Sequence, residues 1–149
     1  MERDEEHARI AAAYRRFAEA EARGRSPLYE ELSYGVAADP DVIGFLAQLP
    51  LEKRQPNLLL AAVRLLFGVA HDYCEFRRRV LDNRDAVHAL MRARSTQTNE
   101  PGRCATLLPV LARLPQPLAL LEVGASAGLC LLPDFYAYDY LITHEPQLI

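Results

Sequence analysis

The stretch Leu118-Ala-Leu-Leu-Glu122-Val-Gly124-Ala-Ser126-Ala-Gly128-Leu129 constrains the fold of this chain more than any other. Four apolar residues run into a carboxylate, and small residues then recur at every second position. A short apolar run of this kind suits a strand covered on both faces, as in a parallel sheet between helix layers. Gly124 and Gly128 carry no Cβ, so the backbone there can turn sharply and let a ligand come close. The reading is a buried strand, a tight turn and a helix opening near Ser126 or Ala127, with ligands expected where strand hands over to helix. Pro133 falls beyond that helix's first turn, where proline costs about 3 kcal/mol. The helix is therefore expected to end or kink near Leu132.

Spacing separates the chemistries such a turn can serve. A dinucleotide site needs G-x-G-x-x-G, and counting from Gly124 the third glycine position is Leu129. A serine-hydrolase nucleophile elbow needs G-x-S-x-G, which Gly124-Ala-Ser126-Ala-Gly128 matches literally. The strands expected before such an elbow, an oxyanion loop and well-spaced acid and base partners are missing. Asp139 and His144 are too close in sequence to serve as those partners. The third pattern, acidic-x-G-x-G-x-G, resembles the first motif of Rossmann-like S-adenosylmethionine-dependent methyltransferases. Glu122-Val-Gly124-Ala-Ser126-Ala-Gly128 fits it with Ser126 at the middle glycine. The resemblance implies that Gly124, Ser126 and Gly128 let the backbone pass close to the cofactor and that Glu122 sits near its cationic part. By analogy with dinucleotide folds, an acidic residue about 20 positions further on holds the ribose. Asp139 is the nearest candidate.

Four segments occur in order: Arg54-Gln-Pro-Asn-Leu-Leu59, Thr96-Gln-Thr-Asn-Glu-Pro-Gly-Arg-Cys-Ala105, Leu120 to Leu129, and Tyr136-Ala-Tyr-Asp-Tyr140. Together they resemble the uncharacterised bacterial family catalogued as domain of unknown function 2332. That resemblance implies a helical first half followed by a methyltransferase-like α/β half, with no established reaction. Cys130 stands where the family pattern leads one to expect asparagine, and Leu141 to Ile149 departs from it.

Before the key stretch the periodicity is helical. Ile10, Tyr14 and Phe17 share one face of a helix over about 4–23, which Gly24 should stop. Ser26 before Pro27 and Asp39 before Pro40 are start signals, since short polar side chains cap and proline suits the first turn. Leu28, Leu32 and Val36, then Val42, Ile43, Leu46 and Leu49, form the stripes that follow. Residues 58–69 are apolar almost all round and are expected to form the most buried helix. Gln55 and Asn57 beside Pro56 read as caps. Further helices are expected over 72–81, after Asp82 or Asn83 towards Arg94, and after Thr98 or Asn99, the last burying Leu107, Leu108, Leu111 and Leu114. The polar loop Thr96, Gln97, Thr98, Asn99 and Glu100, with Arg103 one turn on, is a second candidate substrate or cofactor loop. Its alternative reading is ordinary helix capping.

The fold class expected is mainly α: a helical domain over 1–115, then, over 116–149, the first strand and glycine turn of an apparently incomplete Rossmann-like α/β domain. The corresponding function is S-adenosylmethionine binding and methyl transfer to an unknown acceptor. A non-catalytic helical interaction protein, with a possible homodimer, is the alternative, and a hydrolase using Ser126 ranks third. The net charge of −3 offers no basic field for nucleic acid or anionic membrane. Cys74, Cys104 and Cys130 are odd in number with no C-x-x-C pair, so they read as small buried hydrophobes and give no metal site. His7, His71, His88 and His144 share no ligand spacing. The acidic N-terminus lacks a signal-peptide core and no apolar run reaches bilayer length, which makes the cytoplasm the expected compartment.

Overall fold

A computed structural model of the chain describes residues 2–96 and 100–141, and it divides into two compact units, 1–96 and 97–149. In the first unit, local capping chemistry sets three of the helix starts. Helix α1 (Glu2–Phe17) runs into a π-helical turn, Ala18–Ala22, which the Arg23 N–H closes onto the Ala18 carbonyl at 2.9 Å. Gly24, at φ +74°, then ends it. Ser26 Oγ accepts from the Tyr29 N–H at 3.4 Å and opens α2 (Pro27–Ala38). Asp39 accepts from the N–H groups of Asp41 and Val42 at 2.8 and 3.2 Å and opens α3 (Pro40–Ala47). Asp72 caps α5 (Tyr73–Asp82) through the Glu75 N–H at 2.7 Å.

Two helices begin without the caps expected of them. Gln55 makes no capping bond to α4 (Pro56–Phe67); its Oε1 instead accepts from Thr96 Oγ1 at 2.9 Å. Asn83 points backwards, donating to the Arg79 carbonyl at 3.0 Å, and leaves α6 (Arg84–Ala93) without a side-chain cap. Basic side chains close helix ends: Arg54 donates to the carbonyls of Ala47 and Leu49 beyond α3 and pairs with Glu6 of α1, while Lys53 reaches the Arg94 carbonyl after α6.

The apolar stripes meet in one core. Ile10, Tyr14 and Phe17 pack with Leu32, Val36, Val42, Leu46, Leu59, Val63, Phe76, Val80, Val87 and Met91, all buried. The expectation that residues 58–69 are the most buried helix holds only for its inner face: Leu58, Leu59, Leu60, Ala62 and Val63 are buried, whereas Leu65 is 70% exposed and Val69 51%.

The second unit corrects the sequence reading. Of the four leucines expected to form the buried face of α7 (Gly102–Leu111), Leu108 and Leu111 are half-buried, Leu107 and, beyond the helix end, Leu114 are exposed, and the fully inward residue is Cys104. Among the described residues there is no strand, so the Rossmann-like α/β part of the expected fold is wrong and the chain is mainly α. Leu118 to Leu121 is irregular, with Leu121 and Val123 almost fully exposed. The physical reason is that a strand is a property of pairs: no described segment lies in ladder with this one, and an apolar run without a partner leaves its N–H and C=O groups unpaired. Nor does a helix open at Ser126; short 3₁₀ turns follow, Leu129–Leu131 and Pro133–Phe135. The tyrosine-rich segment after them is a loop.

The junction of α2, α3 and α5 rests on Asp39. Besides capping α3 it accepts from Tyr73 Oη at 2.8 Å and from Arg77 Nε at 2.7 Å, while a second Arg77 nitrogen pairs with Asp41. Tyr73 reaches it by lying against Gly35, where a Cβ would stand 2.2 Å from the ring. Burial alone would raise the Asp39 carboxyl, but hydrogen bonds from Tyr73, Arg77, Val42 and Asp41 outweigh it and hold it below the ordinary carboxylate range. A depressed carboxyl contributes stability above its unfolded pKa and loses it as pH falls through the folded value. Urea unfolding should therefore show stability declining on acidification below about pH 4. Asp39→Asn should flatten that decline, and Asp39→Ala should cost about 2–3 kcal/mol at neutral pH through the lost cap and charged hydrogen bonds. An Asp39→Ala protein with unchanged urea midpoint would contradict this account.

Candidate functional site

In the second unit, Glu100 Oε1 accepts from the Gly102 N–H at 2.9 Å and starts α7. Pro109 sits inside that helix and lacks the N–H that would have bonded the carbonyl four residues back, at Ala105. Tyr140 supplies the missing donor, its hydroxyl lying 2.6 Å from the Ala105 oxygen. Tyr136 and Tyr138 likewise donate to the Leu129 and Pro133 carbonyls at 2.9 and 2.7 Å, and the Tyr138 and Tyr140 rings stack at 6.2 Å. The aromatic loop is thus fastened by its hydroxyls to the backbone of α7 and of the turns.

Between α7 and this loop lies the glycine turn. Gly124, Ser126 and Gly128 have φ of +74°, +51° and +71°, so every second residue is left-handed. Ser126, at the motif's middle glycine position, is left-handed at the strain cost of a Cβ. The Gly128 N–H closes the turn onto the Ala125 carbonyl at 2.6 Å. A Cβ on Gly124 would meet nothing within 4 Å, which leaves open space beside its backbone.

A cavity of about 170 Å³ adjoins the segment that leads into the turn. Leu107 and Leu111 of α7, Leu120 and Leu121, Leu131 and Pro133 give it apolar walls; Arg103, Cys104, Glu122 and Cys130 supply its polar groups. One oxygen of Glu122, Oε2, is buried and has no hydrogen-bond partner. An acceptor so placed is costly unless something donates to it. Burial raises the Cys130 thiol above its ordinary value, with the charge of Glu122 and the neighbouring Cys104 adding to the rise and Arg103 opposing it.

The sequence-derived candidates therefore divide. Glu122 and Arg103 share the cavity, and Gly124, Ser126 and Gly128 form the adjoining turn. Asp139 is exposed and is not among the cavity's lining residues. The Glu100 carboxylate accepts from the Gly102 N–H, and its carbonyl accepts from Cys130 Sγ at 3.4 Å. Thr96 bonds to Gln55 within the first unit, and Gln97, Thr98 and Asn99, like His144, lie outside the described residues. The proximity of Cys104 to Cys130 has no signal in the sequence, because a separation of 26 positions matches no ligand or disulfide motif.

A larger groove of about 820 Å³ runs in the first unit beside α1 and the start of α4. Most of its polar groups already have partners, Arg54 with Glu6, Gln55 with Thr96 and Arg9 with Glu5, which leaves the exposed Arg16. The cavity at Glu122 is the better candidate because it holds an acceptor still to be satisfied. Among the described residues no cluster of three or more His, Cys, Asp or Glu could hold a metal, and no helix is long and apolar enough to cross a membrane.

A family model described as "Uncharacterized protein conserved in bacteria (DUF2332)" matches residues 11–144. No curated protein and no solved structure matches the chain.

Ser126 gives the turn a direct test. Replacing it with glycine removes the left-handed Cβ penalty and should stabilise the turn by about 1 kcal/mol, whereas Gly124→Ala should cost about as much. The readout is hydrogen exchange at the Gly128 amide, which should slow in the first variant and quicken in the second. Exchange unchanged in both would mean that the left-handed geometry is not held in solution.

Proposed function

The chain belongs to the uncharacterised bacterial family DUF2332, and we propose that its glycine turn and the adjoining cavity bind S-adenosylmethionine for methyl transfer to an acceptor still to be identified. The observation that carries this reading is the buried, unpartnered Oε2 of Glu122. A buried carboxylate oxygen is matched by a ligand with a cationic or donor group, and S-adenosylmethionine offers an ammonium, a sulfonium and hydroxyls. Arg103, on the same cavity, suits the ligand's carboxylate. Gly124 leaves room for a ligand to lie against the main chain.

When bound, the cofactor supplies a methyl group on positively charged sulfur. The chain's own part is to hold and orient it: Glu122 offsets the positive charge, Arg103 fixes the opposite end, and Leu107, Leu111 and Leu131 offer it apolar contact. Positioning of this kind can carry much of a transfer reaction without a general base.

Calorimetric titration of the full chain with S-adenosylhomocysteine should show saturable binding. Glu122→Gln should weaken the binding of S-adenosylmethionine by about tenfold or more, as for loss of a charged hydrogen bond. No binding of either compound at millimolar concentration would sink the proposal.

A second reading, a non-catalytic helical interaction protein, is favoured by one specific observation: Leu121, Val123, Phe135 and Leu141 are each more than four-fifths exposed. Apolar side chains this exposed on one unit are of the kind that mark interaction surfaces. Sedimentation velocity separates the two readings: a mass that rises with concentration, together with absent cofactor binding, favours the second, and a constant mass counts against self-association.

A further inference from the structure

The cavity contains a second chemistry that the cofactor reading does not use. Cys104, on the inner face of α7, is 1% exposed, and Cys130, in the 3₁₀ turn after Gly128, is half-buried. Both residues line the same cavity. Cys104 Sγ lies 3.6 Å from the Cys130 carbonyl oxygen, and Cys130 Sγ lies 3.4 Å from the Glu100 carbonyl, so each is anchored against a backbone oxygen. Cys104 is also close enough to add to the rise of the Cys130 thiol. Elements far apart in sequence thus bring two reduced sulfurs together beside one small space.

We propose that Cys104 and Cys130 are a thiol pair that closes to a reversible disulfide by exchange with a low-molecular-weight disulfide such as glutathione disulfide, clamping the turn at Leu129–Leu131 onto α7. The less buried Cys130, as thiolate, attacks one sulfur of the reagent and releases one glutathione. Cys104 then gives up its proton and attacks the Cys130 sulfur of the mixed disulfide, releasing the second glutathione. Two protein thiols are oxidised by two electrons, and one glutathione disulfide is reduced to two thiols. The first step is slow at neutral pH: burial, the Glu122 carboxylate and Cys104 hold Cys130 protonated, against Arg103. The second is fast because the resolving thiol is already in place, as in any intramolecular step between adjacent groups. A sulfur with no such neighbour stops at the mixed disulfide, and exposed Cys74 on α5 provides that comparison within the same molecule.

The test is incubation of the full chain with glutathione disulfide at mildly alkaline pH, followed by intact mass and peptide mapping under non-reducing conditions. The expected product has lost two hydrogens through a Cys104–Cys130 cross-link and carries glutathione on Cys74 alone. Reduction should restore the starting mass. In Cys104→Ser, Cys130 should instead accumulate the glutathione adduct. Limited proteolysis between residues 112 and 128 should slow several-fold in the cross-linked form, because the link closes a loop over that segment. Separate glutathione adducts on Cys104 and Cys130 in the unmodified chain would overturn the proposal, as would a cross-link that joins either of them to Cys74. So would modification of Cys74 with both other thiols left free. None of these outcomes depends on whether the cavity binds S-adenosylmethionine.

Discussion

The carboxylate of Asp39 does two jobs at once, and the arrangement of the first unit depends on both. It ends the α2–α3 corner by capping the next helix, and it collects Tyr73 and Arg77 from α5. A cap is a local bond, but these two donors arrive from more than thirty residues away. The same atoms that start a helix therefore fix where another helix docks. Gly35 makes this possible, because only a bare backbone lets the Tyr73 ring come close enough to donate. The cap, the glycine and the ion pair form one device, so a change in any of them is felt by the others.

Capping is also why much of this unit could be read from sequence. Ser26, Asp39 and Asp72 act on N–H groups two or three residues away, so their effect is written in adjacent positions. The stripes of Leu32 and Val36, or Val42 and Leu46, follow from periodicity alone. Legibility failed where the outcome depends on a distant partner. Gln55 and Asn83 have suitable chemistry for capping, yet a bond to Thr96 draws one away and a bond to Arg79 the other. Leu65 and Val69 look like core by composition, but core is decided by what faces them, and here they face outward. Leu118 to Leu121 failed for the same reason in stronger form, since a strand exists only with a neighbour.

The candidate site shows the same division. Alternating small residues predicted a backbone that turns tightly and stays accessible, and three alternate left-handed residues are what the fold delivers. That property is local, so it survives the loss of the strand and the helix that were expected on either side. What sequence could not convey was the rest of the site. The pairing of Pro109 with Tyr140 through the Ala105 carbonyl joins residues thirty-one positions apart, and the proximity of Cys104 to Cys130 has no motif. Both arise because α7 and the loop after the glycine turn fold back along each other.

Three side-chain groups in the chain are buried without a partner: the Tyr14 and Ser33 hydroxyls and Oε2 of Glu122, among the described residues. They are not equivalent. Tyr14 and Ser33 are neutral and sit in a packed helical core, where an unmade hydrogen bond costs about 1–3 kcal/mol and the surrounding apolar contacts can absorb it. Glu122 belongs to a more exposed unit with fewer such contacts, and its penalty is larger when charged. The same carboxylate also raises the thiol of Cys130. A carboxyl group placed there, next to free volume and an accessible turn, is the feature from which the ligand-binding proposal starts. This is why the small cavity of the less regular unit, and not the larger groove of the well-packed one, is where chemistry is best sought.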